Sequence, residues 1–562
     1  QRGVTDNPAL YTYIDMVLDE AEKKYNISHD ELHTGGFKIY TALDVKAQEA
    51  MYEAFNKDSP VSQELFPEPG PEQIVQGSMV IIDHRTGGVV AAIGGRDYVR
   101  KGLNRAVSDA RQPGSTFKPI SVYAPALEAG WEPYDLLRDE LIDYGGYQPR
   151  NYDGKYRGKV TMLEAVKYSY NAPAVWLLNE IGVGTGVSYA QAFGFDKVER
   201  KLGIALGDVG ASPLQMASAF GTFANHGLRM EPYLIERIVD RHDQLLIEHQ
   251  PKSIQVVTEQ TAWYMTKMLE QVVREGTGTR ARMKHPVAGK TGTTQSPSGY
   301  KGIRDAWFVG YTPQYAAAVW IGFDQLDKQH VLNSSGGNHP AKLFKYVMEK
   351  ALEDVPVEAF KKPSGVKDLE KPIPLPAIED LQGFITLHKN LSLTIDLVFT
   401  PLGEAGPIAY QIYRTAGDTL ERQLVGQVAH EQLLASGGWS DHSVELGRTY
   451  TYEVVPINLR TGEEGQPSNR LTIKVDPSSP LFRISADVNK EELCRWLMEI
   501  EGEMEKEKLD EKKREEEGLP PTQELELDED YPEQDLEFEE EEEEMRDVDV
   551  EREPSPLDQL LN

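Results

Sequence analysis

The stretch SMVIIDHRTGGVVAAIGG, Ser78–Gly95, sets two Val/Ile/Ala-rich runs on either side of Arg85-Thr86-Gly87-Gly88. Short β-branched runs joined through turn glycines read as a β-hairpin. A second such pair lies far along the chain in DAWFVGYTPQYAAAVWIGF, Asp305–Phe323, with its turn at Thr312-Pro313-Gln314. Just before it, KTGTT at Lys290–Thr294 predicts another strand. From Leu103 to about Gln250 the pattern is mostly helical, broken by Gly, Pro and Asn, and a helix near Ala341–Leu352 closes the block. Strands at both ends with helices between predict an α+β domain whose sheet is assembled from distant segments.

Outside this block the texture changes. Residues 1–76 predict a polar helix (Tyr11 to Tyr25), a short strand (FKIYTAL) and a second helix (VKAQEAMYEAF), closing in the loop PEPGPEQ. Pro-rich sequence marks a linker over 359–376. Over 377–476 the runs LSLTIDLVF, IAYQIYR and RTYTYEVVPINL predict an all-β sandwich, its late strands resembling a fibronectin type III module. In 477–562 a charged helix is expected around Lys490 to Lys513, with Leu493, Trp496, Leu497 and Ile500 on one face for docking on a partner or leading into the tail. The tail itself, EFEEEEEEMRDVDVERE, repels itself and is expected to be disordered.

The net charge of −32 on 562 residues is concentrated there: from Glu501 onward 28 acidic residues face 7 basic ones. The remainder is mildly acidic and lacks clustered cations, so no nucleic acid partner is expected. One cysteine, Cys494, excludes an internal disulfide framework. Neither an HExxH motif nor a His/Cys cluster is present, so no metal or other cofactor is expected. No apolar run approaches the ~18–20 residues of a spanning helix. The chain opens at Gln1 rather than Met, so a membrane anchor missing from it says little about a longer gene product.

The chemistry is sought in RQPGSTFKPI, Arg111–Ile120. Ser-x-x-Lys occurs three times, at Ser115/Lys118, Ser298/Lys301 and Ser364/Lys367, and the last two lie in Gly- or Pro-containing loops. Around the first, Pro113-Gly114 and Pro119 predict that Ser115 sits at or beside a helix N-terminus, with Lys118 on the same face. Free amide donors there favour a developing oxyanion. A serine needs a base to take its proton, and lysine serves when desolvation or a neighbouring cation lowers its pKa. The hypothesis therefore requires a second cation and further polar groups. Ser169-Tyr170-Asn171 is the one Ser-x-Asn of the chain, and Lys290-Thr291-Gly292 the one Lys-Thr-Gly. In that order the three motifs are the set found in serine acyl-transfer enzymes that react with penicillin. AGKT at 288–291 lacks the spaced glycine of a phosphate-binding loop, and Gly182, Gly184 and Gly186 lack the third glycine of a dinucleotide fingerprint.

Residues from about Gly36 to Leu352 resemble the transpeptidase half of a class A penicillin-binding protein. The segments carrying the resemblance are IDHRTGGVVAAIGGRDY, LNRAVSDARQPGSTFKPI, NYDGKYRGKVTMLEAVKYSYNAPAVWL, GDVGASPLQMASAFGTFANHG, EGTGTRARM and AGKTGTTQ. With the fibronectin-like module and acidic tail, the chain is similar to the penicillin-binding protein 1 type of Gram-positive bacilli. The resemblance implies a penicillin-binding-protein/β-lactamase-like fold over 77–358, an antiparallel sheet flanked by helices. It implies that residues 1–76 are an inter-domain linker region following a glycosyltransferase domain absent from this chain, and that membrane contact comes only through an absent segment at the outer face of the bacterial membrane.

By the same resemblance, Ser115 attacks the carbonyl between two D-alanines of a peptidoglycan stem peptide and Lys118 takes its proton. Ser169 relays a proton to the leaving D-alanine, Asn171 holds substrate and Lys118, and Lys290 keeps the site electropositive. Thr291, Gly292 and Thr293 bind the substrate end, the two threonine hydroxyls receiving the terminal carboxylate. The backbone N–H groups of Ser115 and Thr293 form the oxyanion hole. An amine on a neighbouring stem resolves the acyl-enzyme, and β-lactams acylate the same serine. A D-Ala-D-Ala carboxypeptidase and a β-lactam hydrolase share these residues, and a non-catalytic scaffold recruiting wall or division partners through the C-terminal domain is the contrasting class.

Overall fold

Five strands hydrogen-bond into one sheet in the order Ala288–Gln295, Ile303–Tyr311, Ala316–Gly322, Gln76–Ile82 and Val89–Ile93, each antiparallel to its neighbour. The computed structural model describes residues 7–67, 73–108, 111–297, 301–372, 375–389, 391–403, 407–417 and 421–489, with scattered residues from there to 513. Both expected hairpins are present, and Ala316↔Ile82 to Gly322↔Gln76 joins them into one sheet across more than two hundred residues of chain.

Every residue of Gln76–Ile82 and Ala316–Gly322 is buried, because helices cover both faces. Successive strand residues point to opposite faces. Val80, Ile82, Ala318 and Trp320 join Met216, Phe220 and Met265 in one core. Met79, Ile81, Val319 and Ile321 join Phe344, Val347 and Met348 in a second. The two helices before the first hairpin, Tyr11–Tyr25 and Val45–Phe55, form over the expected residues. They supply Tyr13 and Met16 to the first core and Met51 and Phe55 to the second. Residues 7–67 thus pack as part of this body. The helix expected near Ala341–Leu352 spans His339–Ala351.

The region from Leu103 to Gln250 is less uniformly helical than its pattern predicts. Leu136–Asp139 pairs with Gly158–Thr161, Leu228–Met230 with Ser253–Gln255, and Ile235–Val239 lies between Lys38–Thr41 and Leu245–Glu248. These strands run only 3–5 residues, too short for a period of two to stand out from turns.

The Pro-rich segment lies on the helix Glu259–Arg274. Trp263 Nε1 donates to Asp368 Oδ1 at 3.0 Å, and Gln260 Nε2 donates to Lys367 O at 3.0 Å. Two compact units divide the chain: residues 1–384, 396–441 and 445–476 form the first, and 385–395, 442–444 and 477 onward the second. Within the first, Gln423–Ala429, Ile408–Ala416, Thr449–Asn458 and Leu471–Lys474 make an antiparallel four-stranded sheet. The expected all-β texture is interrupted by the helix His430–Ser436, whose good helix formers end at Gly437 in the left-handed region. Within the second unit, Phe482–Ile484 pairs in parallel with Ile385–Leu387, and Trp496 stacks on Phe482 with ring centroids 5.9 Å apart. The apolar face predicted around Leu493 and Trp496 is therefore occupied from within the chain, by Leu387 and Phe482. Leu497, Ile500 and the acidic tail lie outside the described residues.

Along the outer edge of Val89–Ile93, Asp44 N donates to Val90 O at 2.9 Å and one buried side chain bonds Ala92. Gln48, fully buried, donates from Nε2 to Ala92 O at 3.0 Å and to Ala9 O at 2.7 Å, and accepts from Ala92 N at 2.8 Å. Gln48→Ala strands these backbone groups away from water. It is expected to destabilise the chain by about 2–4 kcal/mol, measured by urea unfolding followed by circular dichroism.

Candidate active site

Ser115 lies on Gly114–Phe117, a 3-10 turn that runs into the π-helical turn Pro119–Tyr123 and then the α-helix Ala124–Glu128. Ser115 was expected at or beside a helix N-terminus, and Pro119 decides which helical turns form there. Its missing N–H and its ring disfavour ordinary helix bonding to residue 115. The chain tightens before the ring, where Lys118 N donates to Ser115 O, and widens after it. In a 3-10 turn residues three apart eclipse, so Ser115 and Lys118 share a face as predicted. Ser115 is partly exposed while Lys118 is fully buried.

Lys118 Nζ donates to Ser169 O at 2.8 Å, Tyr170 O at 2.8 Å and Asn171 Oδ1 at 2.7 Å. Three oxygens from three successive residues converge because Ser169, which ends the helix Met162–Tyr168, adopts a left-handed backbone with φ of 61°. That conformation costs a non-glycine residue roughly 1 kcal/mol and folds the chain back over Lys118. The Ser169 side chain faces the other cation: Lys290 Nζ donates to Ser169 Oγ at 2.7 Å and to Thr291 O at 3.1 Å. Lys290 stands on the edge strand Ala288–Gln295 and is also fully buried.

Burial and then the nearby charge of Lys290 hold Lys118 well below the ordinary lysine range. Burial alone pulls Lys290 down to about 7. Lys118 as a neutral amine keeps two N–H donors for its oxygen partners and gains a lone pair able to take a proton. Lys290 is the second cation that the serine hypothesis requires.

The edge strand approaches the Ser115 turn so closely that side chains are excluded. A Cβ on Gly292 would stand 2.2 Å from Pro113 O, and one on Gly114, whose φ is +57°, would stand 3.1 Å from Thr293 N. Ser115 and Thr293 are thereby neighbours through their backbones. Thr293 Oγ1 accepts from Gly336 N at 3.1 Å, while the Thr291 and Thr277 hydroxyls are 2.7 Å apart. All the predicted residues, Ser115, Lys118, Ser169, Asn171, Lys290, Thr291, Gly292 and Thr293, converge here. Thr277 of EGTGTRARM and Asn151 of NYDGKYRG were missed as individual residues, although the segments containing them were singled out. Asn151 Oδ1 accepts from Asn171 N at 2.7 Å. A cavity of about 550 Å³ beside the helix Tyr11–Tyr25 contains none of the site residues. Among the described residues no group of three or more His, Cys, Asp and Glu side chains could hold a metal.

Residues 77–349 match the family described as penicillin binding protein transpeptidase domain. These residues belong to that family. The transpeptidase domain and its flanks are 42% identical to penicillin-binding protein 1F of Bacillus subtilis, over 84% of this chain and 64% of that protein. Identity to penicillin-binding protein 2a of Streptococcus pneumoniae is 35%, over 62% of this chain and 48% of that protein. The chain thus spans about half to two thirds of the length of these relatives. Among solved structures, PonA1 of Mycobacterium tuberculosis in complex with penicillin V superposes with a TM-score of 0.56 at 25% identity, covering 65% of this chain and 99% of that one. Penicillin-binding protein 1A of Haemophilus influenzae shares the fold, with a TM-score of 0.54 at 21% identity over 63% of this chain and 72% of that one.

Lys290→Met removes the cation beside Lys118, so the Lys118 pKa rises and less of it is a free base at neutral pH. The acidic limb of penicillin acylation is expected to move to higher pH, with a loss of roughly 100-fold at pH 7. Stability moves oppositely. A lysine with a folded pKa of about 7 is protonated in the unfolded chain but not the folded one between there and its ordinary value of 10.5. The parent therefore gains about 1.4 kcal/mol per pH unit across that window. The Met variant lacks this slope, so its stability relative to the parent is highest at low pH, as chemical denaturation at several pH values will show.

Proposed function

We propose that this chain is a serine D,D-transpeptidase that cross-links peptidoglycan stem peptides and is acylated by β-lactams. The observation that carries the reading is the pair of buried lysines joined through Ser169, Lys118 bonding its carbonyl and Lys290 its hydroxyl, beside Ser115. Supporting it, PonA1, at 25% identity over 65% of this chain, is described in complex with penicillin V.

In this mechanism Lys118 takes the Ser115 hydroxyl proton as Oγ bonds to the carbonyl carbon between the two terminal D-alanines. The backbone N–H groups of Ser115 and Thr293 receive the oxyanion. The C–N bond breaks, and Ser169, held by Lys290, passes a proton to the departing D-alanine amine. Asn171 orients the substrate amide, and the hydroxyls of Thr291 and Thr293 hold the terminal carboxylate. An amine of a neighbouring stem then attacks the Ser115 ester. Its proton leaves through the same groups and Ser115 regains its own. An extended peptide alongside Ala288–Gln295 adds to the sheet at its edge.

The site of action in this reading is the outer face of the bacterial cytoplasmic membrane. Among the described residues no helix is long and apolar enough to cross a membrane. Residues 77–358 form the transpeptidase domain, 359–376 the linker and 377–476 a fibronectin type III-like module. The four-stranded sheet and Tyr450 support that module. Near the start of its strand, the Tyr450 hydroxyl accepts from Glu445 N at 3.0 Å, the local anchoring found at the tyrosine corner of such sandwiches.

Incubation with a fluorescent penicillin, followed for hours after excess reagent is removed, is expected to label the parent stably and Ser115→Ala not at all. Label lost from Ser115 within seconds would indicate a β-lactam hydrolase, and an unlabelled folded parent a scaffold. Product analysis with an added amine acceptor separates cross-linking from trimming by water.

A further inference from the structure

Behind the Ser169–Asn171 turn runs a chain of buried polar side chains that no motif marks. Asn151 is 4% exposed and its amide is fully engaged. Oδ1 accepts from the backbone N–H groups of Asn171 at 2.7 Å and Ala172 at 3.1 Å. Nδ2 donates to Asp139 Oδ1 at 2.6 Å and to Lys155 O at 2.8 Å. Two donors and two lone pairs are the whole capacity of an amide, so its orientation is determined. Reversal would set a carbonyl oxygen against a carboxylate.

Asp139 is itself fully buried at the end of the strand Leu136–Asp139, which pairs with Gly158–Thr161. Its Oδ2 accepts from Arg157 N at 3.1 Å, and Arg157 Nη1 lies 3.6 Å away. The helix Ala172–Ile181 has no cap from its own N-cap side chain, and Asn151 supplies one from twenty residues upstream. Of the residues so anchored, Asn171 presents its Oδ1 to Lys118, and it follows directly on Ser169 and Tyr170, whose carbonyls also accept from Lys118.

We propose that Asn151 and Asp139 are a positioning pair that holds the Ser169–Asn171 turn, and through it Lys118, in the arrangement that accepts the Ser115 proton. The inference rests on the acyl-transfer reading above. Neither residue meets a reacting atom. The charged and titratable groups facing the pair are Arg157 and the Tyr123 phenol, both toward Asp139, while Lys290 faces Lys118. Burial and then Lys290 account for the depression of Lys118.

A charge swap tests this. Asn151→Asp keeps the acceptor for Asn171 and Ala172 but sets a second carboxylate against Asp139. Adding Asp139→Asn restores a donor–acceptor pair; Lys155 O loses the Asn151 donor but keeps Arg157 Nη1 at 3.2 Å. Acylation by a fluorescent penicillin is measured for the parent, both single variants and the double variant, alongside thermal unfolding. The single Asn151→Asp is expected to lose roughly 100-fold in the acylation step with little change in the preceding binding step, and the double variant to recover to within about 10-fold of the parent.

In the double variant the anion has moved next to Asn171, nearer Lys118. The acidic limb of its acylation profile is therefore expected at higher pH by roughly half a unit or more. A clamp that merely stabilises the fold would leave that limb in place. Asn151→Asp acylating at the parental rate would overturn the proposal. So would a double variant that is unfolded, that is no faster than the single, or that keeps the parental limb. A folded parent without label would overturn the acyl-transfer reading itself, which is a distinct result.

Discussion

Lys118 and Lys290 are both fully buried, and among the described residues no carboxylate pairs with either of them. Removing an ammonium group from water costs several kcal/mol even after relaxation, and a second one nearby adds repulsion. The protein relieves this by holding both lysines below their ordinary pKa and by giving their N–H groups oxygens to meet. Lys118 has two backbone carbonyls and an amide oxygen, and Lys290 a hydroxyl and a carbonyl. Stability is surrendered at the place where a neutral amine and an electropositive wall are both needed, the combination that makes a serine reactive.

Keeping water from these lysines places demands on the surrounding body. The sheet is covered on both faces by two separate cores, and the strand that carries Lys290 comes within touching distance of the Ser115 turn. Gly292 and Gly114 are glycines because backbone fills the space in which a side chain would begin. The two edges of the sheet are treated differently. Beyond Val89–Ile93 the buried Gln48 bonds Ala92 as a further strand would, and Asp44 N meets Val90 O. The opposite edge, Ala288–Gln295, borders the Ser115 turn and, in the proposed mechanism, receives the extended peptide.

The turn over Lys118 shows how a strained backbone serves this chemistry. Ser169 takes a left-handed conformation that glycine would adopt more readily, yet glycine would lack the hydroxyl that meets Lys290. One residue therefore ends a helix, aims its carbonyl at one lysine and its side chain at the other. Such double use explains why a short motif is so informative here: few other residues satisfy the backbone and the chemistry together.

What the sequence determined by itself was local or distinctive. Alternating β-branched runs and turn glycines identified the two hairpins, and helical periodicity located Tyr11–Tyr25 and Val45–Phe55. Spacing put Ser115 and Lys118 on one face, and the rarity of Ser-x-Asn and Lys-Thr-Gly singled out the partners that a lysine base requires. Tertiary structure decided the rest. The short strands around Asp139 and Ile238 take their conformation from pairing with distant segments, which leaves no periodic trace in so few residues. Pro119 decided that the helix start carrying Ser115 is built of 3-10 and π turns. Asn151 and Thr277 look like ordinary loop residues until the fold brings them to Asn171 and Thr291. The desolvation that depresses two lysines belongs to no residue, because it arises only when the strand, the turn and both cores close around them.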